Sequence, residues 1–110
     1  MEIKKTRIQD KKEFTVDGDR LCFKEYFPET DTYVYERYGR SGEMTSYEVV
    51  RPKYVKQDGE KIGIYPSNSD WGSLGMTVWR SRYSRRIIDF LVDTKDWSAE
   101  SIYEFKKTLK

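Results

Sequence analysis

Gly63-Ile64-Tyr65-Pro66-Ser67-Asn68-Ser69-Asp70-Trp71-Gly72 runs into Gly75-Met76-Thr77-Val78-Trp79, the arginines Arg80, Arg82, Arg85 and Arg86, and Ile87-Ile88-Asp89-Phe90-Leu91-Val92. It reads as strand, capped turn, strand, basic corner and helix, packed on one side of an antiparallel sheet. In the turn, the Ser67 hydroxyl is placed to accept a backbone N–H from Ser69 or Asp70, as helix-capping serines do. Asp70 then lies near the positive end of that single turn. Trp71 is expected to plug the core, and Gly72 to end the turn in a left-handed conformation. The alternative is a ligand loop built from Ser67, Asn68, Ser69 and Asp70.

Beyond this turn, Met76 and Val78 share one strand face, and Thr77 and Trp79 the other. If Val78 points to the core, Trp79 stands on the second face. Ser84 reads as the N-cap of a helix from Arg85, with Ile87, Ile88, Leu91 and Val92 at helical spacing. Arg85 and Arg86 in its first turn oppose the helix dipole, and such local conflicts mark functional positions. A terminal helix follows, with Ser98 as N-cap, Glu100 in the first turn and Trp97 and Ile102 as a hydrophobic staple. Its apolar stripe is Ile102, Phe105 and Leu109.

Upstream, Asp17-Gly18 and Asp58-Gly59 each supply the positive φ angles of a two-residue hairpin turn. Leu21, Phe23 and Phe27 are expected on one face of the second strand, which makes Glu25 a misfit on an apolar face. Thr32 to Tyr38 is aromatic and β-branched enough for a strand. Met44 to Val50 returns from it, and Pro52 ends regular pairing or marks a sheet edge. Residues 1–12 carry Ile3 and Ile8 among five basic residues and read as an edge strand or a frayed, solvated basic tail. The fold expected for residues 1–110 is one α+β domain: an antiparallel meander of five or six strands, with two C-terminal helices on one face.

Composition narrows the function classes. The chain has 110 residues, 36% of them charged, with net charge +2. Residues 76–88 hold four arginines and no acid, so the rest of the chain is net −2: one basic patch on a mildly acidic molecule. Histidine is absent and Cys22 is the single cysteine. This removes Ser-His-Asp and Cys-His nucleophiles and His- or multi-Cys zinc sites. No metal or cofactor is expected. Asp17 and Asp19 flank a turn without further ligand-spaced acids. No apolar run is long enough to span a membrane, and cytoplasm is the expected compartment.

The pattern Tyr47-Glu48-Val49-Val50-Arg51-Pro52, then Tyr65 to Gly72, then Gly75 to Trp79 and an apolar helix resembles small uncharacterised proteins of phages and mobile elements, over residues 33–92. The resemblance carries no activity. It implies a setting, the host cytoplasm, where chains of this size often inhibit defence machinery. The arginine-rich corner departs from the pattern, which has an acidic helix start there.

The candidate surface is Trp79, Arg80, Arg82, Tyr83, Arg85 and Arg86. Guanidinium forks match phosphate and carboxylate oxygens, and the aromatic rings accept bases or fill partner pockets. A solvated corner with its arginines paired to Asp89, Asp93 or strand acids is the structural alternative. A secondary surface is Tyr33, Tyr35 and Arg37, although half-buried strand tyrosines explain the tyrosine-rich face equally. Carboxylate pairs such as Glu25 with Glu36, or Glu36 with Glu48, are the remote enzymatic reading. The expected function is a non-enzymatic binding protein that occludes a protein partner, with a nucleic-acid-binding module as the alternative.

Overall fold

A computed structural model describes residues 13–65 and 75–109. The expectations for residues 1–12 and for Ser67, Asp70, Trp71 and Gly72 lie outside the described residues. The described chain runs β1 (Phe14–Val16), β2 (Asp19–Phe27), β3 (Thr32–Tyr38), β4 (Met44–Val50), β5 (Lys53–Gln57), β6 (Glu60–Ile64) and β7 (Gly75–Trp79). Two helices follow, α1 (Ser84–Asp93) and α2 (Ala99–Lys106). The architecture is α+β: an antiparallel sheet in the order β1-β2-β3-β4-β7, and a separate β5-β6 hairpin.

Both Asp-Gly turns form as their chemistry requires. Asp17 and Gly18 have φ of 51° and 84°, and Asp58 and Gly59 have 52° and 82°, the doubly left-handed geometry of a type I′ turn. Pro52, which has no N–H for a ladder, ends β4's run in the main sheet. Beyond it, β5 pairs with β6 alone instead of extending the meander. The Tyr54 hydroxyl at 2.6 Å from Asp31 Oδ2 ties this hairpin back to the β2–β3 turn.

One bulge reassigns the faces of β2. Register shifts between Phe23, opposite Tyr35, and Glu25, opposite Val34. The extra residue inverts the alternation. Leu21, Phe23 and Tyr26 therefore share one face, and Glu25 and Phe27 the other, in place of the expected Leu21, Phe23 and Phe27. Glu25 is not stranded among apolar residues: it leaves that face and meets a cation from α1.

The two sheet faces hold two cores. On the helix side, Val34, Val49 and Val78 pack against Ile88, Leu91 and Val92 of α1, with Trp97 and Ile102 closing the end. On the other side lie Leu21, Tyr33, Tyr35, Val50 and Tyr65, bordered by Phe14 and Phe23. Each fully buried aliphatic side chain contributes about 1.5–3 kcal/mol of transfer free energy. Trp97 and Ile102, placed as a staple by the sequence, are both buried in the first core, and the Ser98 hydroxyl accepts the Ser101 N–H at 3.2 Å. Phe105 stacks on Phe90, with centroids 4.2 Å apart and planes 9° apart, so α2 leans on α1 as well as on the sheet.

Candidate binding surface

The corner between β7 and α1 is built by serines. Ser84 does not cap α1. The helix starts at Ser84 itself, and its N-cap position is Tyr83, with no side-chain cap bond. The Ser84 hydroxyl is buried, accepts the Ser81 N–H at 2.8 Å, and lies 2.8 Å and 3.3 Å from the carbonyls of Ser81 and Trp79. The Tyr83 N–H donates to the Ser81 hydroxyl at 3.2 Å. These local bonds draw the chain back on itself and fix the exit from β7 into α1.

The six residues singled out at this corner are not equivalent. Trp79 is 70% exposed, a large apolar group offered to solvent. Arg82 lies over the Tyr83 ring, 4.8 Å from its centroid, and donates to the Tyr83 hydroxyl at 2.7 Å. Arg80 and Arg86 are exposed. Arg85 is neutralised: it forms an ion pair with Glu25 across the helix–sheet interface and another with Asp89 one turn on, at 3.0 Å. The hydrogen bond that Arg85 donates to Glu25 raises the Arg85 pKa and outweighs the lowering by burial. The structural alternative therefore holds at Arg85.

Strand register divides the corner. Trp79 stands opposite Ser46, on the face away from α1, while Val78 packs beneath the helix. The tryptophan ring is thus on the sheet side opposite Arg85 and Arg86, with Arg80, Arg82 and Tyr83 in the connection between them.

On the Trp79 face lies a polar network that the pattern of residues does not announce. Glu48 is 0% exposed. It accepts from the Thr77 hydroxyl at 2.8 and 3.2 Å, from Ser46 at 3.2 Å and from Arg37 Nη1 at 3.4 Å. Arg37 Nε also donates to Asp19 at 2.7 Å. Burial raises the Glu48 carboxyl pKa, and the bonds from Thr77, Arg37 and Ser46 pull it down only in part. The neighbouring Tyr65 hydroxyl is raised strongly, first by burial and then by the Glu48 charge.

Tyr33 and Tyr35 do not form the expected secondary surface. They are 8% and 0% exposed and belong to the second core. The Tyr35 ring meets Phe14 edge-on at 5.0 Å. Alternation aims them inward beside Val50. Arg37, on the same face, is partly exposed but committed to two carboxylates. The carboxylate pairs also come apart. Glu36 faces Tyr47 while Glu48 faces Tyr35, so the two acids lie on opposite sides of the sheet. Glu25 is taken by Arg85.

Among the described residues, no cluster of three or more His, Cys, Asp or Glu side chains is placed to hold a metal ion, and no helix is long and apolar enough to cross a membrane. No family model, curated protein or solved structure matches the chain.

Proposed function

We propose that this chain is a non-enzymatic binding protein whose Trp79–Tyr83 corner docks on an acidic surface of a protein partner and occludes it. In the setting that the phage resemblance implies, the partner is a host defence protein. The observation that carries the reading is Trp79, 70% exposed at the end of β7 and followed by exposed Arg80 and Arg82. Leaving a tryptophan in water forgoes about 1.5–3 kcal/mol of burial, which a partner pocket recovers. Trp, Tyr and Arg together are the residues that dominate binding hot spots. The serine bonds at Ser81 and Ser84 hold the corner rigid before binding, which lowers the entropy cost of docking. The buried Glu48–Arg37 network braces the sheet beneath Trp79.

The test compares wild type with Trp79→Ala/Arg82→Glu in two assays. One is a quantitative pull-down of host protein, and the other is fluorescence anisotropy with labelled single- and double-stranded DNA and RNA at two salt concentrations. A stoichiometric partner captured by wild type and lost with the double variant supports occlusion, through an interface of about 1,200–2,000 Å². Partner capture unchanged in the variant overturns the role of the corner. Salt-sensitive oligonucleotide binding without any protein, lost in the variant, assigns the corner to nucleic acid instead.

A further inference from the structure

Helix α1 carries its charges against its own dipole. Its first turn holds Arg85 and Arg86 and no acid, while Asp93 stands in its last turn with no base. Each arrangement disfavours an isolated helix. Arg85 is relieved by Glu25 and Asp89, but Arg86 and Asp93 form no ion pair with any described residue.

Arg86, Asp89 and Asp93 follow one another at spacings of three and four, on the side of α1 away from buried Ile88, Leu91 and Val92. With Phe90, Thr94 and Phe105 they line an open groove of about 500 Å³ along α1 and α2. The Phe90–Phe105 stack gives that groove an aromatic wall. The stripe is thus positive at the start, negative towards the end, and apolar alongside.

That order is self-complementary. An antiparallel copy of α1 brings the acidic half of one helix to the basic half of the other. In the register that sets Arg86 opposite Asp89 of the second copy, two-fold symmetry makes the same pair twice. The same register sets Arg85 opposite Phe90 and brings Asp93 to the turn that carries Arg82. The two dipoles then lie side by side in opposite directions, each positive end beside a negative one. We propose that α1 is a dimerisation helix, and that the occupant of the Arg86–Asp93 groove is a second copy of this chain. A symmetric pair of this kind is the commonest way for one surface to satisfy itself. The proposal goes beyond the binding role and does not rest on it: Trp79 and Arg80 lie outside the stripe and stay open to a partner, and only Arg82, in the turn that meets Asp93, belongs to both contacts.

The test is sedimentation velocity of the full chain, from about 1 to 200 μM, the range of weak, small interfaces. Two variants with like charges at positions 86 and 89 are compared with wild type, Arg86→Asp and Asp89→Arg. Wild type is expected to dimerise, and each variant to dimerise at least tenfold more weakly because like charges now oppose each other. An equimolar mixture of the two variants pairs Asp with Arg at both positions and is expected to recover the dimer. Wild type monomeric throughout, variants that dimerise as wild type does, or a mixture that stays monomeric would each overturn the proposal. If circular dichroism shows that a variant fails to fold, wild type alone decides. Its dissociation constant must rise with salt, and a salt-independent dimer refutes ionic pairing.

Discussion

Arg51 is the side chain whose loss should cost this fold most for its size. Its Nη2 lies 3.0, 3.2 and 2.7 Å from the carbonyls of Leu91, Val92 and Thr94, at the C-terminal end of α1. Its Nε donates to the Thr32 hydroxyl on β3 at 3.0 Å, and the guanidinium lies over the Trp97 ring at 4.3 Å. One side chain from the end of β4 thus caps a helix, grips the next strand and seats the aromatic that closes the core. Leu91 O keeps a second donor in Trp97 Nε1, at 2.7 Å. Removal therefore leaves mainly the Val92 and Thr94 carbonyls short of a partner.

Hydrogen bonds to a charged group contribute about 1.5–3 kcal/mol each, and because Arg51 is only partly buried the lower end applies. Two such bonds and the cation–π contact put the cost of Arg51→Ala at roughly 3–4 kcal/mol. With a urea slope near the middle of the usual range for small domains, that is a midpoint lowered by about 2 M. In thermal unfolding it is a fall of roughly 12–16 °C. Arg51→Lys keeps the charge but lacks the planar fork, so it cannot serve Thr32 and the α1 carbonyls together, and about half of the loss is expected. The assay is equilibrium urea unfolding followed by far-ultraviolet circular dichroism and by tryptophan fluorescence. A loss below about 1 kcal/mol for Arg51→Ala would refute the reasoning, because water would then replace the guanidinium at the helix end without penalty.

Glu48 gives a pH signature. Its carboxyl is raised in the folded state, so the native chain binds more protons than the unfolded one between the ordinary glutamate value of about 4.3 and the raised value. Its contribution to stability therefore falls as pH rises through that window, and the gap between wild type and Glu48→Gln should shift in favour of Gln. Urea midpoints of the two proteins measured across the range check this, and a gap that moves the other way or stays constant contradicts it. At the caps, Ser98→Ala should cost about 1 kcal/mol in thermal unfolding. Ser84→Ala should cost a comparable amount or more, yet through the corner and not the helix start, so a compensating Asp at position 83 should not restore it. Trp79→Ala should leave the unfolding free energy from urea titration within about 0.5 kcal/mol of wild type, since the ring is exposed. A larger loss would place the ring in the fold's own packing.

Residues close in sequence carried most of the secondary structure. The Asp-Gly pairs 17–18 and 58–59 and the 3.6-residue period of Ile87, Ile88, Leu91 and Val92 act over a few bonds, and so does the Ser98 cap. A sequence displays them directly, and they sufficed for an antiparallel sheet with two C-terminal helices. What eluded the sequence acts over distance or turns on one residue of register. The bulge after Phe23 is a single inserted residue, yet it inverts every face beyond it and turns Glu25 from a misfit into the partner of Arg85. Tyr33 and Tyr35 read as either surface or core because a tyrosine suits both, and their burial beside Val50 and Tyr65 was settled by packing.

The corner shows the same division. Its arginine and aromatic content was visible as composition, and the exposure of Trp79 and the commitment of Arg85 were not. Ser84 has the right residue type for a cap at the right place, but the carbonyls of Ser81 and Trp79 compete for its hydroxyl and win. By itself, then, the sequence determined which segments are strands and helices, because propensity, turn chemistry and periodicity are local. Tertiary structure alone decided which charges are spent and which remain free. The Arg51 grip on α1 spans about forty residues, and the Arg85–Glu25 pair spans sixty. Only the folded chain brings such groups within bonding distance.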